Sequence, residues 1–165
     1  MGAWDTIADA YDGWAQITDD VPFYVEEPGS VDLVVELGLG TGRVGIPMAQ
    51  AGARVIGIDS SDRMLARCRR QAEAAGVGDR VDLRLGDFRR PPVSERVPLV
   101  VSPFRSLSHL QSEQDRQQAL AAVRAMLVPG GRFVFDVATP EPEQVRAAGS
   151  LPAPDREGIS AHFPG

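Results

Sequence analysis

The sequence predicts an α/β fold in which helices cover both faces of a doubly wound, mostly parallel sheet of about five strands. Three observations predict it. Short β-branched runs alternate with amphipathic helical patterns, a glycine-rich turn follows the first run, and an acidic residue ends the second. At 165 residues, 43% of them hydrophobic and 24% charged, the chain fits one domain that buries a sizeable core.

Five segments have the composition of strands. They are DLVVEL (32–37), RVIGID (54–59), RVDLRL (80–85), VPLVVS (97–102) and RFVFDV (132–137). Pro98 lies inside the fourth segment and cannot donate a hydrogen bond to a sheet. We therefore expect pairing of that strand to begin at Leu99.

Helical patterns fill the intervals between strands. After the second strand, Ser60 or Ser61 could cap a helix that ends before Gly76. A later helix opens with SEQD (112–115), a hydroxyl cap followed three residues on by an acid. The residues of this helix that we expect to face the sheet are Leu120, Val123 and Leu127.

The two ends of the chain fall outside this alternation. We expect residues 1–30 to form a helical cover over the active-site edge, including a short helix in DDVPFYVEE (19–27) with Pro22 in its first turn. Residues 31–139 would form the ligand-binding α/β core. The proline-rich segment 140–165 has few large apolar residues, so we expect it to be irregular or docked on a partner.

Charge and hydropathy exclude several classes of function. The net charge of −6 argues against a nucleic-acid partner, because binding a phosphate backbone requires a basic face. No apolar run approaches the roughly 18 residues that span a membrane. The first residues, MGAWDTIADAYD, lack the apolar stretch of a signal peptide. We expect a cytoplasmic protein that acts on a small molecule.

Cys68 is the single cysteine and therefore forms no internal disulfide. No cluster of cysteine and histidine surrounds it, so the sequence predicts no metal site. Met64, Leu65 and Ala72 share its helical stripe. We expect a small core residue rather than a reactive thiol.

The stretch VVELGLGTGRVG (34–45) contains two overlapping glycine patterns. From Gly40 it reads G-x-G-x-x-G, the dinucleotide-binding pattern, with Asp59 about 20 residues downstream where a ribose-binding acid is expected. From Gly38 it reads G-x-G-x-G. The carboxylate of Glu36 distinguishes the two, since its repulsion of a nearby pyrophosphate is worth on the order of several kcal/mol. A cationic ligand suits this turn better.

S-adenosylmethionine is such a ligand, because it carries an ammonium and a sulfonium and no phosphate. Glycines would let the backbone approach it closely, since no Cβ intervenes. Asp59 could accept charge-assisted hydrogen bonds from the ribose hydroxyls. The same carboxylate would serve NAD equally, so Asp59 alone leaves both cofactors open.

Four ordered blocks of the sequence resemble the class I S-adenosylmethionine-dependent methyltransferases, whose fold is Rossmann-like. The blocks are VVELGLGTGR, VIGIDSSDRML, LRLGDF and AMLVPGGRFVFDV. The resemblance covers about Tyr11 to Asp136, and the order and spacing of the blocks are more specific than any one of them. It implies an enzyme that transfers the methyl group of S-adenosylmethionine to an oxygen or nitrogen of a small molecule.

The resemblance also implies which residues bind the cofactor. Those implied at the methionine end are Tyr11, Glu36, Gly38, Gly40, Thr41 and Gly42. Those implied around the ribose and adenine are Asp59, Ser60, Met64, Asp87 and Phe88. Those implied beside the reacting methyl group are Ser102 and Phe104. The alternatives are a helix cap for Ser60, a core residue for Met64 and a loop acid for Asp87.

Two residues are candidates for catalysis. Methyl transfer from a sulfonium needs a general base only when the acceptor must lose a proton. His109 follows the fourth strand and is the candidate base, because imidazole titrates near neutral pH. Tyr11 resembles a tyrosine that many small-molecule methyltransferases place against the methionine end. The alternatives are a histidine that only packs in its loop and an aromatic that closes the first helix on the sheet.

The sequence departs from the family after the fifth strand. Members normally add an antiparallel hairpin there, whereas this sequence shows at most a short strand in GISAHF. The fifth strand would then expose an open edge, which proteins usually cover or pair. We expect a homo-oligomer, most simply a homodimer, through this edge, or a shortened form of a longer protein.

Two other functions remain open: an NAD(P)-dependent oxidoreductase, and a non-catalytic subunit that retains the fold.

Overall fold

The computed structural model describes residues 18–137. Its elements, in chain order, are α1 (Val21–Glu26), β1 (Leu33–Leu37), α2 (Gly45–Gln50), β2 (Arg54–Asp59), α3 (Asp62–Ala74), a 3-10 turn (Gly78–Arg80), β3 (Val81–Leu85), β4 (Val97–Ser102), a second 3-10 turn (Ser106–His109), α4 (Glu113–Met126) and β5 (Leu127–Phe135). All five predicted strands are present. The fifth begins earlier than predicted, at Leu127 rather than at residue 132.

The five strands form one sheet in the order β3-β2-β1-β4-β5, and every pairing is parallel. The predicted doubly wound α/β fold is therefore confirmed. The chain moves from β1 outward to β3, and then returns to place β4 on the other side of β1. The strand order thus reverses next to β1, and in open α/β sheets ligands bind at the carboxyl ends of the strands at such a point.

Buried side chains cover both faces of the sheet because neighbouring residues of a strand point to opposite sides. Val34 of β1 belongs to a core cluster with residues of α2 and α3. Val35, the next residue, belongs to a second cluster with Val123 and Met126 of α4. The buried Cys68 belongs to the first cluster, and burial raises the pKa of its thiol to about 12. It is a core residue, as expected.

Hydroxyl side chains begin the two long helices as predicted. Ser61 rather than Ser60 caps α3, because its Oγ accepts a hydrogen bond from the Met64 backbone N–H at 3.2 Å. Ser112 caps α4 by accepting from the Asp115 backbone N–H at 3.0 Å. These caps satisfy N–H groups that have no partner inside the helix. Ser60 is left outside the helix and is exposed.

The predicted inner face of α4 is partly wrong. Its buried residues are Ala119, Val123 and Met126, whereas Leu120 is 39% exposed. The three buried positions are spaced i, i+4 and i+7, which places them on one side of a helix. Leu127 lies outside the helix and pairs with Val97 as the first residue of β5. Leu120 and Leu127 were expected on this face, but the helical register places Ala119 and Met126 there instead.

Pro98 interrupts one side of β4. Pairing with β1 begins at Leu99, as expected. On the β5 side, however, Val97 pairs with Leu127, and the register then shifts before pairing resumes at Leu99. The expectation is therefore wrong for that ladder. Residues 128–131 of β5, which include two glycines, lie opposite the proline and form the irregularity.

Some predicted features lie outside the described residues. Tyr11, the rest of the predicted first helix and the segment 140–165 are among them. The predicted short helix with Pro22 in its first turn is present as α1. Within residues 18–137, β3 and β5 form the two edges of the sheet. None of the helices in this range has the length and apolar character needed to cross a membrane.

Candidate active site

A cavity of about 710 Å³ opens at the carboxyl ends of the strands, where the strand order reverses. The predicted site residues on its wall are Gly38, Gly40, Asp59, Ser60, Met64, Asp87, Phe88, Phe104 and His109. The structure therefore brings together residues from the turns after β1, β2, β3 and β4. Four predicted residues within the described range are not on this wall: Glu36, Thr41, Gly42 and Ser102.

The turn after β1 needs glycine at its predicted positions. Gly38, Gly40 and Gly42 have φ of 77°, 58° and 93°, in the left-handed region that other residues rarely adopt. A Cβ at Gly38 would lie 2.5 Å from Ser106 Oγ. A Cβ at Gly42 would lie 2.7 Å from Cys68 Sγ. Gly38 thus faces the loop after β4, whereas Gly42 packs the turn onto α3.

Glu36 lies beneath this turn with only 2% of its surface exposed. Its Oε2 has no hydrogen-bond partner, and it is the one such buried side-chain atom among residues 18–137. Burial raises the pKa of Glu36 well above its ordinary value, and Asp59 and Asp20 raise it further, against the opposing charge of Arg43. An unpartnered buried polar atom costs about 1–3 kcal/mol. A cation that reached this carboxyl would supply the missing partner.

Asp59 ties β2 to the glycine turn. Its Oδ2 accepts a hydrogen bond from the Gly40 backbone N–H at 2.8 Å, and its Oδ1 accepts one from the Ser61 N–H at 2.9 Å. The side chain also reaches the cavity wall. Each carboxylate oxygen can accept two hydrogen bonds, so it can accept one from a backbone N–H and one from a ligand hydroxyl at the same time. The position suits the predicted contact with a ribose.

The turn after β3 carries an ion-pair bridge that the sequence analysis did not predict. Arg89 pairs with Asp87 at 2.5 Å and with Asp115, at the start of α4, at 2.6 Å. The pKa of the Asp87 carboxyl is lowered chiefly by its hydrogen bond to Arg89. All three side chains line the cavity. Asp87 therefore already accepts hydrogen bonds from Arg89. It lies beside Phe88, at the end of the cavity where the adenine is expected.

Two other predicted cofactor residues are more deeply buried than their assigned roles require. Ser102 is fully buried and donates a hydrogen bond to the Leu37 carbonyl at 3.2 Å. Its assignment beside the methyl group is wrong as a wall contact, because the hydroxyl joins β4 to β1 instead. Thr41 is 3% exposed and lies within the glycine turn. Met64 is also buried, yet it reaches the cavity wall.

The loop after β4 supplies the remaining wall. Phe104, Ser106 and His109 all line the cavity, and His109 ends the short 3-10 turn that begins at Ser106. His109 is exposed, so a ligand in the cavity could reach its imidazole. It remains the candidate base. The sequence analysis missed Ser106, although its hydroxyl covers Gly38.

Helix α1 is attached to this end of the sheet by two polar links. Asp20, which precedes α1, forms a bidentate pair with Arg43 of the glycine turn at 2.5 and 2.7 Å. Within α1, the Tyr24 hydroxyl donates to Asp136 Oδ1 at 2.9 Å. Burial and the Asp136 carboxylate raise the pKa of that hydroxyl. The described part of the N-terminal region therefore packs next to the glycine turn, on the side where a cover was expected.

Known proteins are similar to this chain in sequence. A family model described as a methyltransferase domain matches residues 34–131. The carboxy-S-adenosyl-L-methionine synthase of Erwinia tasmaniensis is 35% identical over 136 residues, which are 79% of this chain and 54% of that protein. The chain therefore spans about half the length of this curated relative.

Solved structures agree with the sequence comparison. The CcbJ methyltransferase of Streptomyces caelestis superposes with a TM-score of 0.73 at 35% identity, over 79% of this chain and 55% of that one. The glycopeptide N-methyltransferase MtfA in complex with S-adenosyl-L-methionine gives 0.69 at 34% identity, over 82% and 58%. With the family model matching more than half of the chain, the protein belongs to the class I S-adenosylmethionine-dependent methyltransferases.

Proposed function

We propose that this protein transfers the methyl group of S-adenosylmethionine to an oxygen or nitrogen atom of a small molecule. One observation carries the proposal: a buried, unpartnered carboxyl, Glu36, lies under a glycine turn that opens on a 710 Å³ cavity. That site suits a cationic ligand that approaches the backbone closely. It suits a pyrophosphate less well, because this carboxyl repels an anion when it is ionised and offers no positive charge when it is protonated.

The residues present fit the cofactor of the family. Glu36 would accept from the methionine ammonium, and Asp59 would accept from the ribose hydroxyls while still holding the Gly40 N–H. Phe88 and Met64 offer apolar contact for the adenine. NAD(P) is less well supported, because family membership and the unpartnered carboxyl both favour the sulfonium cofactor.

The cofactor supplies an electrophilic methyl group whose carbon–sulfur bond breaks as the bond to the acceptor forms, with the electron pair passing to sulfur. The work of the protein is then to align the acceptor at about 3 Å and to exclude water. Phe104 and Ser106 lie on the cavity wall, and Ser106 covers Gly38, where this alignment would occur. His109 would take the proton of a hydroxyl acceptor at one of its ring nitrogens.

Cavity size and charge support a small acceptor. Ligand cavities are commonly about 300–1,000 Å³, and this one must hold the cofactor and the acceptor together. The net charge of −6 disfavours a nucleic-acid partner. One similar structure is named as an N-methyltransferase of a glycopeptide, which is consistent with nitrogen as an acceptor atom.

The proposal is tested by binding and by turnover. We expect S-adenosylhomocysteine to bind saturably in calorimetry and NAD not to bind; the reverse would support the oxidoreductase. A library of small alcohols, phenols and amines, incubated with S-adenosylmethionine that carries a deuterated methyl group, is expected to give products heavier by that group. Cofactor binding with no product from such a library would favour a non-catalytic subunit.

A further inference from the structure

Two consecutive residues of the loop after β4 have an unusual backbone. Phe104 and Arg105 have φ of 57° and 60°, and among residues 18–137 they are the only non-glycine residues with positive φ. Such a conformation is unfavourable for a residue with a Cβ and persists only where the surroundings hold it. Strain of this kind is concentrated at sites that position a functional side chain.

Two contacts from other parts of the fold hold this pair, and a third holds Asp136 in place. Asp136, just after β5, accepts a hydrogen bond from the Arg105 backbone N–H at 2.8 Å. The other oxygen of Asp136 accepts from Tyr24 of α1. The Phe104 ring lies under the guanidinium of Arg43, with Cζ 4.7 Å from the ring centroid. Residues distant in sequence therefore fix the direction of the loop.

The result of this backbone is that the Arg105 side chain lies on the cavity wall, and it is exposed. Within the described range its guanidinium has neither an ion-pair nor a hydrogen-bond partner. The other arginine on the wall, Arg89, is engaged by Asp87 and Asp115. Among the described residues, Arg105 is therefore the positively charged side chain of the cavity wall that can bind a ligand.

The neighbours of Arg105 place it near the expected position of the acceptor. Its neighbour Ser106 covers Gly38, at the end of the turn assigned to the methionine, and His109 follows in the same loop. Arg105 therefore shares its loop with the candidate base and lies on the wall where the methyl group would be presented.

We propose that Arg105 binds an oxyanion, a carboxylate or a phosphate, on the acceptor, and so selects acidic small molecules as substrates. This inference rests on the proposed function. A guanidinium offers two parallel N–H donors that match such a group. The carboxylates on the rest of the wall, Asp59, Asp87 and Asp115, disfavour an anion elsewhere and so fix the orientation of the acceptor.

The rival ligand for Arg105 is the carboxylate of the cofactor itself. Two variants distinguish an acceptor anion from the cofactor carboxylate as the ligand of Arg105. The test variant is Arg105→Gln. The control is Arg124→Gln, at an exposed arginine in the last turn of α4. Each protein is titrated with S-adenosylhomocysteine in calorimetry. We expect the affinity to be the same in all three, and a selective loss in Arg105→Gln would overturn the inference in favour of the cofactor carboxylate.

The anion site itself is probed with acetate, with inorganic phosphate and with acetamide, the neutral analogue of acetate. Amide chemical shifts of residues 104–109 are followed by NMR in the cofactor-product complex and in the free protein. We expect saturable shifts with acetate and phosphate and none with acetamide. The dissociation constants should rise about tenfold in Arg105→Gln, as expected for losing a charged hydrogen bond, and stay unchanged in Arg124→Gln.

Equal anion binding by wild type and Arg105→Gln would overturn the inference. So would equal shifts with acetate and acetamide, because the site would then not select charge. Failure of wild type to bind S-adenosylhomocysteine would instead overturn the proposed function. The titrations of the free protein keep the two failures distinguishable.

Discussion

Glu36 and Gly45 are in contact across the base of the glycine turn, where a Cβ on Gly45 would lie 2.7 Å from Glu36 Oε2. The last glycine of the stretch 34–45 is therefore needed for close packing and is not on the cavity wall. The same closeness leaves the Oε2 atom without a polar neighbour. Packing and ligand recognition thus depend on the same pair of residues.

Gly45→Ala should destabilise the protein, although alanine is normally the better helix former. The new methyl group would collide with Glu36 Oε2 and, at 2.6 Å, with Leu39 Cδ1. Overpacking of this kind costs about 1–3 kcal/mol, which urea unfolding would measure. The matched control is Gly78→Ala, whose Cβ would meet its nearest neighbour at 3.3 Å. Equal stability of the two variants would contradict the contact.

Glu36→Gln should remove a dependence of stability on pH. The pKa of Glu36 is raised in the folded protein, so its contribution is fully present below the unfolded-state pKa and is lost as pH rises through the folded-state pKa. Wild type without cofactor should therefore lose stability as the pH rises above the unfolded-state pKa of about 4.3, and the variant should not. Urea midpoints at several pH values test this.

Glu95→Gln is the control for that experiment. Its hydrogen bonds to Arg84 lower the pKa of Glu95 to about 2, so its stabilisation is lost only in acid and is constant near neutral pH. This variant should keep the slope of the wild type. A slope that persists in Glu36→Gln would show that another group titrates.

Tyr24→Phe should cost about 1 kcal/mol, because it leaves one oxygen of the half-buried Asp136 carboxylate without its donor. The change should also increase exchange of the Arg105 amide, since Asp136 holds both groups. Hydrogen exchange and urea unfolding measure the two effects. Phe23→Leu, at a neighbouring ring that is 52% exposed, should change neither. An Arg105 amide that exchanges at the wild-type rate in Tyr24→Phe would contradict the link.

Asp59→Asn should weaken binding of S-adenosylhomocysteine by at least about tenfold. The amide replaces one acceptor oxygen with a donor, which would face the N–H of Gly40 or of Ser61. Calorimetry gives the affinity, and Asp79→Asn on the exposed 3-10 turn is the control. Unchanged affinity in Asp59→Asn would remove this residue from the site.

A homo-oligomer through β5 remains a prediction. Phe133 and Phe135 stack on this strand with centroids 4.9 Å apart, and Phe135 is 36% exposed. Phe135→Lys should shift an oligomer to monomer in light scattering, whereas Leu85→Lys at the opposite edge should not. A wild type that is monomeric at micromolar concentration would contradict the prediction.

Local pattern was sufficient to predict the strands, the glycine turn and the caps. Ser112 and its acid three residues on, for example, form the predicted cap within one helical turn. Long-range contacts were not predictable in the same way. Tyr24 meets Asp136 across 112 residues, and Arg89 meets Asp115 across 26, without any local signal that pairs them.

Two errors have a common physical reason. Leu120 was expected to face the sheet, and Ser102 was expected on the cavity wall, because each lies at a plausible place in the chain. The direction of a side chain depends on the position of its residue within the helix or strand. In a strand, a shift of one residue moves the side chain to the opposite face. One missed signal was local: Gly57, inside β2, packs directly against Leu39 of the turn, as an isolated glycine in a strand indicates.

The central claim is that Glu36 receives the cationic end of the cofactor, and proton release on binding tests it most directly. S-adenosylhomocysteine, which keeps the ammonium, is titrated in calorimetry at neutral pH in two buffers of different ionisation enthalpy. Burial raises the pKa of Glu36 and an ammonium beside it would lower that pKa again, so wild type should release up to about one proton on binding and Glu36→Gln should release none. Tight binding with the same proton count in both proteins would contradict the claim.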